Sequence, residues 1–456
     1  MCLPFGGAGL RRERMSAPRA SRPEQQHGFR QLVRALRFRN YRLFFSGQSV
    51  SLVGTWITRT ATPWLVYDLS RSEVLLGVVG FAGQIPTFLL APLAGVFVDR
   101  HNRHRILLVT QFLSMLQSLV LAALALTGAI AVWHIVALSI VQGLINAFDM
   151  PARQSFVIQM VENPQDLPNA IALNSSMFNG ARLVGPALAG VLIAAVGTGI
   201  CFLIDAVSYL AVIASLLAMN VLPRRGEGRH AEVWEELRDG VRYTFGFPPI
   251  RAILLLLTVF SLMGASYVVL MPVFATEVLQ GDAHTLGFLM AAPGLGALCG
   301  ALFLASRSSV RGLGRVMVWA GTLFGASLMA FSMSDTLWLS VHLLLMAGFG
   351  MMLQVASGNT IIQTITDEDK RGRVMGFYTM SLVGTAPFGS LLAGGMASTL
   401  GAPVTVLIGG GCCILGAAIF AKQLPAIRRL VRPIYVRKGI IAEVATAIQA
   451  ATPSNR

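Results

Sequence analysis

Gly95-Val96-Phe97-Val98-Asp99-Arg100-His101-Asn102-Arg103-His104-Arg105 stands between two long apolar runs. A loop this short with three arginines marks the cytoplasmic side of a membrane, because cationic loops resist translocation. The runs on either side are long enough to cross a bilayer, which takes about 20 apolar residues per helix. Candidate spans fall at 43–67, 74–98, 106–130, 132–154, 168–196, 199–221, 250–276, 285–306, 313–333, 335–362, 373–399 and 403–423.

Composition agrees. Hydrophobic residues make up 54% of the 456 and charged residues 12%, against about a quarter charged in a soluble domain. Mean hydropathy is +0.66. The formal charge of +15 is almost entirely arginine, since the three lysines are Lys370, Lys422 and Lys438. Its placement argues against a nucleic-acid arm. Residues 1–42 hold ten arginines, and 100–105, 224–251, 307–315, 370–373 and 422–456 hold most of the rest. The loops near 68–73, 277–284 and 335 hold only Arg71 as a cation. Every second loop is basic, the positive-inside pattern, which puts both termini in the cytoplasm.

The expectation is an all-α integral membrane protein of twelve transmembrane helices, split six and six. Residues 1–42 read as a basic cytoplasmic arm, 43–221 and 250–423 as the two bundles, 222–249 as a cytoplasmic linker and 424–456 as a basic cytoplasmic tail. Met1–Arg14 lacks the apolar region of a signal peptide, and Met15 is an alternative start. In the linker, Trp234, Leu237 and Val241 share a helical face, with Glu232, Glu235, Glu236 and Asp239 elsewhere around it. That reads as an interfacial amphipathic helix or a solvated connector. The halves echo weakly. Ile158-Gln159 leads to Gly185-Pro186 and Gly190, and Ile362-Gln363 leads to Ala386-Pro387 and Gly394. Repeated halves with a site between them are a transporter architecture. Ser306-Arg307, Arg311 and Arg315 repeat the opening loop without its carboxylate.

The Gly95–Arg105 segment resembles the loop 2–3 signature of the major facilitator superfamily. Arg39-Asn40-Tyr41-Arg42-Leu43-Phe44, Asn146–Gln154, Leu167–Asn174 and Trp234-x-x-Leu237-x-x-Gly240-x-x-Tyr243 narrow the resemblance to enterobactin exporters and macrolide efflux proteins, the transmembrane secretion effectors. It covers roughly residues 35–425. It implies that Gly95 packs helix 2 against helix 11. It also sets Asp99 at the N-terminus of that helix, near Gly372–Met375, and pairs Arg103 with a carboxylate on helix 4, here Asp149. With Arg100 and Arg153 these would form a cytoplasmic latch. Ala181-x-x-x-Gly185-Pro186-x-x-Ala189-Gly190 resembles the antiporter motif of helix 5, which goes with export. Helices 1, 4, 7 and 10 would line the cavity, offering Trp56, Thr60, Gln142, Asn146, Tyr267, Gln354 and Asn359.

Ionisable groups inside spans cost about 2.5–3.5 kcal/mol each, so Arg59, Arg182 and Asp205 stand out. Asp205 reads as a proton carrier, with Arg59 or Arg182 meeting an anionic substrate group or modulating that carboxylate. A mutually satisfied Arg–Asp pair without a transport role is the alternative. The chain has no P-loop, no HExxH and no GxSxG, and no metal-ligand spacing among its five cysteines. An enzyme, a metal or a cofactor is therefore not expected. The reading is a proton-coupled, monomeric exporter of a bulky amphiphilic small molecule in the inner or plasma membrane. Uptake, lipid flipping on the same scaffold, or a non-transporting sensor are the alternatives.

Overall fold

The structure, a computed structural model, describes residues 34–161, 163–220, 233–307, 309–368 and 370–440, with the backbone alone at 92, 164, 233–237 and 239. The first 33 residues with Cys2 and both possible starts, the linker segment 221–232 with Glu232, and the tail from 441 onward lie outside it. So do the side chains of Trp234, Leu237, Glu235, Glu236 and Asp239.

All regular structure among the described residues is helical. We number the helices α1 (Arg39–Ser70), α2 (Glu73–Arg100), α3 (Arg103–Leu126), α4 (Val132–Met160), α5 (Leu167–Leu217), α6 (Val233–Gly246), α7 (Pro248–Val278), α8 (Ala283–Ala305), α9 (Leu313–Ser332), α10 (Leu337–Ile365), α11 (Arg371–Leu400) and α12 (Ala402–Arg437). Among the described residues, ten helices are long and apolar enough to cross a membrane. The helix α1 is long enough but more polar than these, since Arg59, Asp68 and a run of Ser, Thr and Gln dilute it.

The 51 residues of α5 hold two spans, one on each side of Gly197. Gly197 breaks it with φ 80° and ψ 171°, a conformation that costs a side chain dearly but not glycine. Contacts to α1 show that the chain reverses there. Residue numbers rise together along α1 and the first limb: Tyr41 Oη donates to the Ala170 carbonyl at 2.8 Å, and Trp56 lies against Gly185. Along the second limb they run oppositely, Gly47 lying on Ala211 and Ser215 and Gly54 on Asp205 and Ser208.

Short turns are closed by side-chain caps. Asn102 has φ −69° and accepts from the amides of His104 and Arg105. This position asks for a capping side chain rather than for glycine, which is why asparagine suits it. Ser72 caps α2 and Asp282 caps α8 in the same way. The helix α12 runs on to Arg437, so the basic segment after residue 423 begins as helix. The outward faces keep large apolar side chains exposed, among them Leu89, Leu93, Leu302, Leu415 and Trp319. Such a surface suits hydrocarbon rather than water.

The helices α1–α5 form one half and α7–α12 the other. They touch along two seams, α2 on α11 and α5 on α8. In each seam a glycine meets a glycine. A methyl group on Gly77 would lie 3.1 Å from Gly394 Cα, and one on Gly190 would lie 2.9 Å from Gly287 Cα. Small residues permit this backbone approach.

Candidate functional site

Both glycine contacts lie at the end of the molecule that holds the turns at 71–72, Gly197, 279–282 and Gly401. There the Tyr67 hydroxyl of α1 also donates to the Glu277 carboxylate of α7. Toward the other end, which holds the basic turn at 101–102, the seams open. The helices α2 and α11 still touch at Phe88, whose ring lies against Gly384 and edge-on to Phe388 at 5.8 Å. Two turns further on, a methyl group built on Gly95, Gly372 or Gly376 would meet nothing within 4 Å. The α5–α8 seam holds from Gly190 to Leu183, which packs on Gly294, and beyond it Gly180 faces open space. The halves thus form a V, joined at one end and parted at the basic end.

This explains where the latch residues lie. Asp99 is exposed and pairs with Arg103 across the turn at 101–102, at 3.1 Å, and Arg100 is exposed. The Arg103–Asp149 and Asp99–α11 approaches are not made in this structure. Asp149 is buried and satisfied within its own half. It pairs with Arg153 and accepts from Thr110 at 2.9 Å and Gln111 at 2.7 Å.

Asp205 sits on the second limb of α5, 1% exposed. Its Oδ2 accepts from Ser118 of α3 at 2.9 Å. Arg59 lies within electrostatic reach of Asp205, Tyr209, Arg153 and Arg182, but it makes no ion pair with any of them among the described residues. Arg59 and Arg182 both stand over the Trp56 ring, at 5.2 and 5.9 Å. The helix-5 motif performs two packing tasks: Gly185 admits Trp56, and Gly190 admits α8, with Pro186 buried between them.

The expected cavity residues divide. Gln142 is part-buried and donates to Ser114 and to Asn146, both at 3.2 Å. Trp56 and Asn359 are also part-buried. Thr60, Tyr267 and Gln354 are closed off from solvent, and the Tyr267 hydroxyl and both Gln354 amide atoms have no hydrogen-bond partner.

The sequence reading places the α3 span at 106–130 but does not single out its polar face. Thr110, Gln111, Ser114, Gln117 and Ser118 are all buried and hold both carboxylates. Their spacing of four, three and one residues places them on one helical face, so the signal was present as a polar stripe in an apolar span. Helix α6 docks on the opening of α11. The Tyr243 hydroxyl donates to Asp367 at 3.1 Å, and Phe245 stands edge-on to Phe377 at 5.9 Å. Among the described residues no three His, Cys, Asp or Glu side chains gather as a metal site.

Comparison with known proteins fits this helical, two-halved architecture. The sequence profile of the transmembrane secretion effectors, a major facilitator group, matches residues 33–431. The chain belongs to that family. It is 26% identical over 391 residues to the staphyloferrin A transporter of Staphylococcus aureus, covering 83% of this chain and 94% of the relative. The multidrug efflux pump Tap of Mycolicibacterium fortuitum is 27% identical over 83% of this chain and 93% of its own length. Macrolide efflux protein A of Streptococcus pyogenes is 23% identical over 86% and 99%. Among solved structures, a bacterial homologue of the lysosomal transporter Spinster in an inward-facing conformation superimposes with TM-score 0.63 at 13% identity, covering 90% of this chain and 98% of that one. A bacterial ferroportin homologue, also inward-facing, gives 0.63 at 17% identity, covering 84% and 98%. This secretion effector is a multi-pass membrane transporter of small molecules, and neither its fold nor its relatives are those of an enzyme.

Proposed function

We propose that this secretion effector is a monomeric, proton-coupled exporter of a bulky amphiphilic small molecule, working by alternating access in the inner or plasma membrane. The ten apolar helices, α1 and the reversal at Gly197 together support twelve crossings, and the alternation of basic loops supports cytoplasmic termini. On that reading the basic end faces the cytoplasm and the V is the state open to it. The observation that carries the proposal is the paired seam: two glycine–glycine contacts seal one end while Gly95 and Gly372 stand free at the other. A rocker that pivots on such seams offers its midplane to one side at a time.

Asp99, Arg100, Arg103, Asp149 and Arg153 would regroup into the cytoplasmic latch when the basic end closes and Gly95 meets α11. Asp205 would carry the proton, with Arg59 sensing its charge. One charge moving through 100 mV supplies about 2.3 kcal/mol, enough to drive a useful gradient of a neutral compound. The names of the matched efflux proteins support export over uptake. The test is accumulation of macrolides, catecholate siderophores, lipophilic cations and amphiphilic aromatic carboxylates in efflux-deficient cells expressing the chain. Accumulation of a compound should fall, and a protonophore should restore it. Unchanged accumulation across the panel, with the protein confirmed in the membrane, would count against export.

A further inference from the structure

Arg59 and Arg182 sit deep in spans and have no paired carboxylate among the described residues. Arg59 lies 11 residues from the end of α1, about 17 Å at ~1.5 Å per residue. Arg182 lies 15 residues from both the start of α5 and Gly197, about 22 Å each way. Neither is a topology signal, since such signals work from loops and helix ends.

Neither guanidinium forms an ion pair or hydrogen bond among the described residues. The carboxylate within electrostatic reach of Arg59 is Asp205, but it makes no ion pair with it: Oδ2 accepts from Ser118 and Oδ1 has no hydrogen-bond partner. Both arginines instead converge on one indole, Trp56, whose ring also meets Phe178 edge-on at 5.8 Å. Arg59 is solvent-accessible despite its depth and Phe178 is exposed, so the cluster is open to a ligand. Five guanidinium donors per arginine match a planar oxyanion, and an adjoining aromatic wall matches an apolar ring.

We propose that Arg59, Arg182, Trp56 and Phe178 form the cargo site for an amphiphilic carboxylate, an acid group attached to an aromatic or similarly flat apolar body. This deepens the exporter reading and rests on it only in taking the ligand to be cargo. The ligand carboxylate supplies the paired anion that the two arginines lack. The Trp56 and Phe178 rings hold the apolar body beside it.

The test is calorimetric binding of 2-naphthylacetate and its neutral analogue 2-naphthylacetamide to the purified full-length protein. The acid should bind at least about tenfold tighter, the range expected for a hydrogen bond to a charged group. Arg59→Gln and Arg182→Gln should each erase that preference. Arg59→Lys and Arg182→Lys, which keep the charge and guard against misfolding of the glutamine variants, should retain part of it. Equal affinities, no measurable binding of the acid up to the millimolar range, or a preference that survives both glutamine substitutions would overturn the site. Because binding is read without transport, such a failure is separate from the accumulation assay, which tests export by itself.

Discussion

Valine at position 190 would drive the two halves apart at their tightest point. A Cβ there would lie 2.8 Å from the Ala283 carbonyl oxygen, 2.9 Å from Gly287 Cα and 3.3 Å from Gly287 N. All three are backbone atoms, so no flexible side chain can swing away. Overpacking of this kind costs about 1–3 kcal/mol, and it falls only on the state in which this seam is closed. The population of that state relative to its alternative should drop about 5- to 150-fold. Spin labels on a cysteine-free background would read this, one pair at Thr127 and Asp335 across the sealed end and another at His101 and Arg311 across the open end, all four exposed. Distances in Gly190→Val should lengthen for the first pair and shorten for the second. Wild-type distances for both pairs, in a variant that inserts and folds normally, would refute the claim that this seam holds the V shut.

Four other outcomes follow from the same geometry. Asp99→Asn should insert normally but cut transport by about an order of magnitude, because the closed latch loses a carboxylate facing the N-terminal dipole of α11; undiminished transport would remove Asp99 from the latch. Asp205→Asn should abolish proton movement yet leave substrate exchange across the membrane, and proton flux equal to wild type would exclude Asp205 as the carrier. Tyr67→Phe removes the hydroxyl that donates to Glu277, costing the sealed state about 1 kcal/mol; the Thr127–Asp335 label pair should gain a longer component, and an unchanged distribution would make this bond incidental. Asp166 is buried under Arg34 and Arg37, which remain about half exposed. Since both arginines can rehydrate, Asp166→Ala should cost only about 1–2 kcal/mol and lower the thermal unfolding midpoint, and a raised midpoint would count against a stabilising clamp.

The spans were legible because an apolar run long enough to cross hydrocarbon is rare in a water-soluble domain. Even the more polar α1 was legible as the run 43–67, inside the helix Arg39–Ser70. The reversal at Gly197 was legible as a gap between two runs, and the positive φ of that glycine makes the turn between them. The partners of the latch were not legible. Asp99 and Asp149 each carry an arginine four residues on: the helix α4 brings Asp149 and Arg153 within reach, and the turn at 101–102 does the same for Asp99 and Arg103. The long-range pairings proposed for the latch would need the basic end to close, and the structure has that end parted. The α3 stripe escaped notice for another reason. Thr, Ser and Gln cost little in a span, and only their shared face, aimed at Asp149 and Asp205, reveals a role.

In the proposed cycle, protons falling inward drive cargo outward through this molecule. The most direct measurement uses purified protein in proteoliposomes with an entrapped pH dye and a compound whose accumulation the cell assay shows to fall. Adding the compound on one side should move protons in the opposite direction, and an imposed pH gradient should concentrate the compound against its own gradient. Movement of the compound that ignores the imposed gradient, with no dye response, would contradict proton-coupled export.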